Sequence, residues 1–118
     1  MSINSRAKGK DGELEFAEYL RLAGFEARRG QQFHGGGDSP DVVTSVPGVH
    51  FEVKRVEAGN PYKWLLQAEL DIVFNISRGG ARNMPVVAHR KNRQNWIAIL
   101  GMDDFIDLVR KANASEHN

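Results

Sequence analysis

The sequence has 118 residues, of which 41% are hydrophobic and 26% are charged, and this composition is typical of one globular domain. Sixteen Lys and Arg residues against fifteen Asp and Glu residues leave a net charge of +1, so the overall charge does not indicate a nucleic-acid partner. The sequence contains no cysteine, which excludes disulfides, iron–sulfur clusters and cysteine nucleophiles. A core of this size leaves little room for an organic cofactor, and we expect none. Because no apolar run reaches membrane-spanning length, we expect a cytoplasmic protein without a membrane partner.

The hydrophobic pattern predicts eight helices and strands, with a glycine-rich loop between the first two strands. Phe16, Ala17 and Leu20 recur at helical spacing before Gly24, and Asn60-Pro61 is typical of the start of a second helix. In chain order the predicted elements are a helix over 11–23, a strand over 25–28, a glycine-rich loop over 30–40, hairpin strands over 41–46 and 49–56, a helix over 61–76, a strand pair over 85–91 and 95–100, and a helix over 103–112.

The order α-β-β-β-α-β-β-α predicts a mixed α/β fold in which helices flank a small, partly antiparallel sheet. No linker or repeat divides the chain, so we predict a single domain over residues 1–118. The ends of that domain, residues 1–9 and 113–118, are predicted to be flexible.

One acidic residue lies on the apolar face of the first predicted helix. Phe16 follows Glu13 by three residues and Leu20 follows it by seven, so the Glu13 side chain is predicted to face the core. A buried carboxylate needs a hydrogen bond, an opposite charge or a metal ion. The helix dipole also favours acids near a helix start, and this simpler explanation stays open.

The predicted hairpin places further charged residues together. Strand alternation over 49–55 puts Glu52 and Lys54 on one face. With a two-residue turn, residues whose numbers add to 95 pair, which sets Asp41 opposite Lys54 and Val43 opposite Glu52. Asp41, Glu52 and Lys54 are therefore predicted to converge. An ordinary cross-strand ion pair on an exposed sheet face would leave the same pattern, and this alternative stays open.

These residue types point to metal-dependent phosphodiester hydrolysis. Neighbouring carboxylates repel each other unless a divalent cation lies between them, and oxygen ligands suit Mg²⁺ or Mn²⁺. The missing cysteines and the spacing of the histidines argue against zinc. A lysine beside the cation can orient or deprotonate water, or neutralise charge in the transition state. His34, His50 and His89 are interpreted as surface or hydrogen-bonded residues outside the site.

Two groups of residues resemble a known family. Pro40-Asp41 followed by Glu52-Val53-Lys54 resembles the core of PD-(D/E)XK nucleases. Lys8-Gly9 with Glu13, together with Gly24-Phe25 and Arg28, resembles the opening helix of archaeal-type Holliday junction resolvases. The resemblance covers residues 8–88 and implies a restriction-endonuclease-like core. The segment from Trp96 to Phe105 resembles the closing strand and helix of small phage-type relatives.

The resemblance also implies roles for individual residues. It implies Glu13, Asp41 and Glu52 as ligands of Mg²⁺ or Mn²⁺, and Lys54 as the residue that serves the water and the scissile phosphate. Gln67, in Gln67-Ala68-Glu69, resembles the glutamine motif of the family and is expected to support the catalytic site.

The substrate implied by the resemblance is branched DNA, in particular a four-way junction cut by a homodimer. Junctions are recognised by shape and phosphate contacts, which require basic residues, and the glycine-rich loop lies where the family places a DNA-contacting serine. The predicted DNA-binding residues are Lys8, Lys10, Arg28, Arg29, Gly36, Ser39, Arg55, Arg78, Arg82 and Arg90.

Two other functions remain open. The first is a PD-(D/E)XK nuclease that acts on other DNA in nicking, restriction or repair, with the same site residues. The second is a nucleic-acid-binding module without catalysis, in which the carboxylates only pair with Lys54. The helix over 61–76 is apolar on more than one face, which is compatible with a dimer interface or with a helix buried on both sides in a monomer.

Overall fold

The computed structural model describes residues 5–30 and 41–116, and its elements follow the predicted order. In that part of the chain the elements are α1 (Ser5–Leu22), β1 (Ala27–Arg29), β2 (Val42–Thr44), β3 (Val49–Lys54), α2 (Pro61–Ser77), β4 (Met84–His89), β5 (Ile97–Ile99) and α3 (Met102–Glu116). The predicted mixed α/β class is confirmed. Among the described helices, none has the length and hydrophobicity needed to cross a membrane.

The outer helices are longer than their hydrophobic patterns predicted. α1 begins at Ser5 rather than residue 11, and α3 continues to Glu116 rather than ending near residue 112. Both extensions lack an apolar period but contain Ala, Lys, Arg or Glu, whose helix propensity is high. The predicted flexibility of residues 1–9 and 113–118 stays a prediction, although both segments include residues with helical backbone.

The predicted hairpin between residues 41–46 and 49–56 is wrong. β2 pairs antiparallel with β1, whereas β3 pairs in parallel with β4, so that Glu52 lies beside Val87 and Lys54 beside His89. A Pro-Gly turn made of L-residues does not match the twist of a two-residue hairpin. The chain turns at Gly48, whose φ is +72°, and the Gly48 carbonyl accepts a hydrogen bond from the Met84 amide at 2.8 Å.

The described strands form two sheets, with orders β1-β2 and β3-β4-β5, and the elements of the second half of the chain follow the prediction. β4 and β5 pair antiparallel, and α2 begins with Pro61 after the N-cap residue Asn60. The Asn60 side-chain oxygen accepts hydrogen bonds from the amides of Tyr62 at 3.0 Å and Lys63 at 3.4 Å. This cap satisfies two of the amides that a helix start leaves without intrahelical partners.

The core lies between α1 and one face of β3. Phe16 is buried in this core, and its ring centroid lies 5.0 Å from that of Phe51 and 4.9 Å from that of Trp96. Phe51 and Val53 pack against the buried cluster that includes Phe16 and Leu20. α1 therefore covers the Phe51 face of β3, and the opposite face of this strand carries its alternate residues toward α2.

A close approach of α1 to the end of β3 depends on a glycine. A Cβ atom placed on Gly12 would lie 2.5 Å from Arg55 Cβ, whereas one on Gly9 would meet no atom within 4 Å. We expect Gly12→Ala to lower the free energy of unfolding by about 1–3 kcal/mol, because the two chain segments must separate. Gly9→Ala is the matched control and should raise it by about 0.5–1 kcal/mol through helix propensity. Chemical denaturation measures both changes, and equal effects of the two substitutions would contradict this packing.

Candidate active site

The inner face of β3 supplies three polar side chains. His50, Glu52 and Lys54 alternate with Phe51 and Val53, and the predicted faces of this strand are confirmed. The Glu52 side chain is only 4% exposed, whereas that of Lys54 is 24% exposed. Lys54 Nζ lies 3.6 Å from Glu52 Oε1. This arrangement pairs a buried carboxylate with an ammonium group that still reaches solvent.

Asp41 joins this face without the predicted strand pairing. Its Oδ2 accepts a hydrogen bond from the Val53 amide at 2.8 Å, and its backbone carbonyl accepts one from Gly30 at 2.9 Å. The Asp41 side chain thus links the segment before β2 to the backbone of β3. Asp41, Glu52 and Lys54 therefore lie close together. Asp41 reaches β3 through its hydrogen bond with the Val53 amide, whereas Lys54 pairs with His89 of β4 and not with Asp41 as predicted.

α2 contributes two further side chains. Gln67 Oε1 accepts a hydrogen bond from Lys54 Nζ at 3.4 Å, although the residue is otherwise exposed. Asp71 lies one helical turn later on the same helix face and shares a side-chain hydrogen bond with Glu52. Asp71 Oδ2 also lies 4.0 Å from His50 Nε2. α2 therefore closes the polar face of β3 with an amide and a third carboxylate.

Glu13 lies at the margin of this group. Its side chain is 13% exposed, in agreement with an inward-facing position, and its Oε1 accepts a hydrogen bond from Arg29 Nε at 2.7 Å. Glu13 also contributes a repulsive charge to Asp41, so the two carboxylates lie within electrostatic range. The partner of Glu13 in the described residues is thus an arginine, and its role as a metal ligand stays a prediction.

Burial dominates the electrostatics of the three central carboxyl groups. It raises the pKa of Asp41 to about 6, against the lowering effect of the Val53 hydrogen bond, and the negative charge of Glu13 raises it further. The pKa of Glu52 rises to about 8, mainly through burial and then through repulsion by Asp41. Burial also raises the pKa of Asp71. The single ammonium of Lys54 does not offset this concentration of acids.

The donor set fits a divalent cation. The carboxylates of Asp41 and Glu52 repel each other, and a cation between them would stabilise both ionised forms. Within the described residues, His50, Glu52 and Asp71 each offer one ligand atom, and these atoms lie within 4.8 Å of one another. Carboxylate oxygens accept Mg²⁺ or Mn²⁺, and the imidazole extends the range to softer ions.

The sequence pattern did not identify His50 and Asp71 as site residues. His50 was interpreted as lying outside the site, yet it precedes Glu52 by two residues and is only 6% exposed, so strand alternation already placed both on one face. Asp71 follows Gln67 by four residues, which places both on one helix face. His89 agrees with its interpretation as a hydrogen-bonded residue, because its Nε2 lies 2.9 Å from the Val56 carbonyl oxygen.

Three of the predicted DNA-binding arginines are engaged in ion pairs within the protein. Arg29 binds Glu13, and both Arg55 and Arg90 bind Glu15, with Arg55 Nε 3.3 Å from Glu15 Oε1. Arg55 also donates a hydrogen bond to Asn92 Oδ1 at 3.0 Å. This network links α1 to the segment after β4, so it stabilises the fold, and DNA contact by these arginines stays a prediction.

The remaining predicted DNA-binding residues are more accessible where they are described. Lys10, Arg28 and Arg82 are exposed, and Arg78 lies over the Phe74 ring at 5.4 Å. Gly36 and Ser39 lie outside the described residues, and only the backbone of Lys8 is described. The exposed arginines lie on β1 and in the segment before β4.

The raised pKa of Glu52 predicts how stability depends on pH without metal. Folded Glu52 keeps its proton up to about pH 8, whereas unfolding restores its ordinary pKa of 4.5 and releases the proton. In EDTA, the free energy of unfolding should therefore fall as pH rises from about 6.5 to 8, by at most about 1.4 kcal/mol per pH unit for one proton. The lowered pKa of His50 acts in the opposite direction only below its ordinary value of 6.5.

Glu52→Gln should flatten this slope, while Glu69→Gln, an exposed position on α2, should keep it. Chemical denaturation at several pH values provides the measurement. A wild-type stability that stays constant or rises between pH 6.5 and 8 would contradict the burial of an uncompensated Glu52 carboxylate.

Comparisons with known proteins identify the fold. No family model matches the sequence, and no curated protein is significantly similar to it. Among solved structures, the chain is similar to Hjc of Archaeoglobus fulgidus, a Holliday junction resolvase from an archaeal hyperthermophile, with a TM-score of 0.53 and 23% sequence identity. The similarity covers 79% of this chain and 72% of that chain. The predicted resemblance to archaeal resolvases is thus confirmed at the level of structure, and the chain has their restriction-endonuclease-like fold.

Proposed function

We propose that the chain is a divalent-metal-dependent endodeoxyribonuclease of the cytoplasm that hydrolyses phosphodiester bonds in four-way DNA junctions. The observation that carries this proposal is the convergence of Asp41, Glu52 and Lys54 on one face of β3. The fold shared with an archaeal Holliday junction resolvase supports junctions as the substrate. Phage origin is a further inference from the resemblance of the C-terminal segment.

In this proposal Asp41 and Glu52 hold the cation, and Glu13 contributes from the margin of the site. A divalent cation bound there, Mg²⁺ or Mn²⁺, supplies Lewis-acid chemistry by polarising a phosphate oxygen and acidifying water. The hydrogen bond from the Val53 amide orients the Asp41 carboxylate, so one of its oxygens is fixed while the other stays available. Burial of Glu52 keeps its carboxylate away from competing water.

Lys54 acts on the phosphate. Its ammonium lies 3.6 Å from Glu52 and 3.4 Å from the Gln67 amide oxygen, and both contacts limit the positions that this long side chain can occupy. A cation held in this way stabilises the negative charge that accumulates on the phosphate oxygens during attack by water. Gln67 is therefore a positioning residue for Lys54 in this mechanism.

DNA binding relies on exposed cations around this site. Arg28 on β1, with Lys10 and Arg82, can contact phosphates without breaking an ion pair of the protein that the structure describes. Gly36 and Ser39 precede Asp41 closely in sequence, and they are proposed to approach the DNA backbone beside the site. Arg78 and Lys8 complete the proposed contact surface, with Arg29, Arg55 and Arg90 contributing only if their present partners release them.

A homodimer is proposed from two exposed apolar faces. On α2 the face is formed by Tyr62, Leu66, Leu70 and Val73, which are spaced by three or four residues and are 52–86% exposed. α2 is thus not buried on both sides within one chain. On α3, beyond its first turn, the described part of the chain provides no extensive packing partner.

The α3 face consists of Met102, Phe105, Ile106 and Val109, which again share one side of a helix. Exposed apolar faces of this kind mark association surfaces. A second copy is the occupant that a junction requires, since paired cuts in two strands need two catalytic sites.

The central prediction concerns Asp41. With Mg²⁺, the wild type should cut a labelled four-way junction in paired, symmetric positions and spare a linear duplex of the same sequence, and EDTA should abolish cutting. Asp41→Asn should lower cleavage by about 100-fold or more, because a cation ligand is lost. The same substitution should preserve or strengthen junction binding, because it removes a negative charge beside the phosphates. Asp107→Asn, an exposed acid on α3, is the control and should leave cleavage unchanged.

The two other functions give different results in this assay. Equal cutting of junction and duplex would indicate a nuclease with another substrate. Tight binding without cutting, in Mg²⁺ and in Mn²⁺, would contradict catalysis and indicate a binding module.

A second prediction concerns the dimer. Val109→Glu introduces a charge into the apolar face of α3 at a residue that is 48% exposed, so the fold should tolerate it. We expect this variant to shift from dimer to monomer in light scattering and to lose paired cutting. Ala114→Glu adds the same charge on another side of α3 and is the matched control. A dimer that persists in Val109→Glu would place the interface elsewhere.

A further inference from the structure

A cluster of three potential ligands lies between β3 and α2, beside the proposed catalytic residues. It consists of His50 and Glu52 on β3 and Asp71 on α2, and one donor atom of each lies within 4.8 Å of the others. The proposed cleavage mechanism uses Glu52 alone from this group. His50 and Asp71 therefore need a separate explanation.

His50 is a buried imidazole that faces two carboxylates. The residue is only 6% exposed, and its Nε2 lies 4.0 Å from Asp71 Oδ2, which is too far for a hydrogen bond. No fully buried side-chain nitrogen or oxygen among the described residues lacks a hydrogen-bond partner, so the ring is not an unsatisfied group in the metal-free protein. The separation of the imidazole from the two carboxylates leaves room for an ion that all three would bind.

The spacing of the cluster suits a cation. Two ligands bound to one ion by bonds of about 2.0–2.2 Å, at angles of about 90–110°, are about 3.0–3.5 Å apart, so Nε2 and Oδ2, which are 4.0 Å apart without the ion, would approach each other by about 0.5–1 Å. His50 also lines a cavity of about 500 Å³, together with Asn75, Asn83 and Arg78. This cavity has room for water and ions beside the residue.

We propose that His50, Glu52 and Asp71 form a second divalent-cation site, distinct from the Mg²⁺ position at Asp41 and sharing Glu52 with it. An imidazole with two carboxylates favours a first-row transition ion such as Mn²⁺, Co²⁺ or Zn²⁺ over Mg²⁺, which prefers oxygen ligands. For zinc, this differs from the expectation drawn from the missing cysteines and the spacing of the histidines in the sequence, which argue against that ion. The inference rests on the proposed function only through the shared carboxylate of Glu52.

A cation in this site would connect α2 to β3. Asp71 lies one turn after Gln67 on the same face of α2, and Gln67 binds Lys54. Fixing Asp71 beside β3 would therefore also fix the amide that positions Lys54. A transition ion bound in this site would therefore restrict the position of Lys54 through α2. The ion would not need to contact the substrate.

The test uses the whole 118-residue chain without metal, and Co²⁺ is the probe, without DNA. Co²⁺ bound to an imidazole gives visible absorption bands and a strongly shifted, exchangeable ring proton in the NMR spectrum. We expect both in the wild type, and we expect His50→Gln to remove the shifted ring proton. Asp71→Asn should weaken Co²⁺ binding by about tenfold or more. Glu69→Gln, an exposed residue on α2, is the matched control and should bind as the wild type.

Asp41→Asn separates this site from the proposed Mg²⁺ position. If the inference is correct, this variant loses junction cleavage but keeps the shifted ring proton. A ring-proton signal that survives His50→Gln, or Co²⁺ binding that Asp41→Asn abolishes while Asp71→Asn leaves it intact, would overturn the inference. Circular dichroism of each variant confirms that loss of binding is not loss of folding. Failure of junction cleavage in the wild type, with Co²⁺ binding intact, would contradict the nuclease and leave this site standing.

Discussion

The burial of neighbouring carboxylates on one face of β3 is the constraint on which the rest of this structure depends. Burial raises the pKa of Glu52 to about 8 and that of Asp41 to about 6, and each acid makes ionisation of the other more costly. A fold selected only for stability would place apolar side chains here. The free energy needed to remove two carboxylates from water exceeds the free energy gained from their attraction to one lysine. The arrangement is explained if the carboxylates are ionised together around a cation, and the nuclease proposal gives that cation its chemistry.

One face of β3 contributes to the stability of the core, and the other face carries the proposed catalytic residues. Phe51 and Val53 pack with Phe16 of α1 and form the core, while Glu52 and Lys54 face α2. Because β3 is hydrogen-bonded to β4 and covered on both faces, its polar side chains are held with little freedom. Rigid elements of this kind position catalytic groups more precisely than loops do. Asp41, which lies just before β2, gains comparable order from its hydrogen bond with the Val53 amide.

Much of this arrangement could be predicted from particular residues, and the failures have physical causes. Alternation along β3 places Glu52 and Lys54 together whatever strand lies beside them, so this prediction survived the wrong hairpin. The hairpin failed because it relied on a turn type that Pro47-Gly48 does not favour, and because parallel pairing with β4 depends on contacts distant in sequence. His50 and Asp71 were not identified because their proximity exists only once α2 packs on β3. The arginine partner of Glu13 was likewise a tertiary contact.

The number of protons released when a cation binds tests whether these carboxylates form a cation site. At pH 7 the pKa of Glu52, about 8, means that this group is largely protonated in the metal-free protein, and a cation must displace the proton to bind. Calorimetric titration with Mn²⁺ in two buffers of different ionisation enthalpy gives the number of protons released. We predict the release of about one proton per Glu52 site in the wild type and a clear reduction in Glu52→Gln. Binding without proton release, or no binding at all, would contradict it.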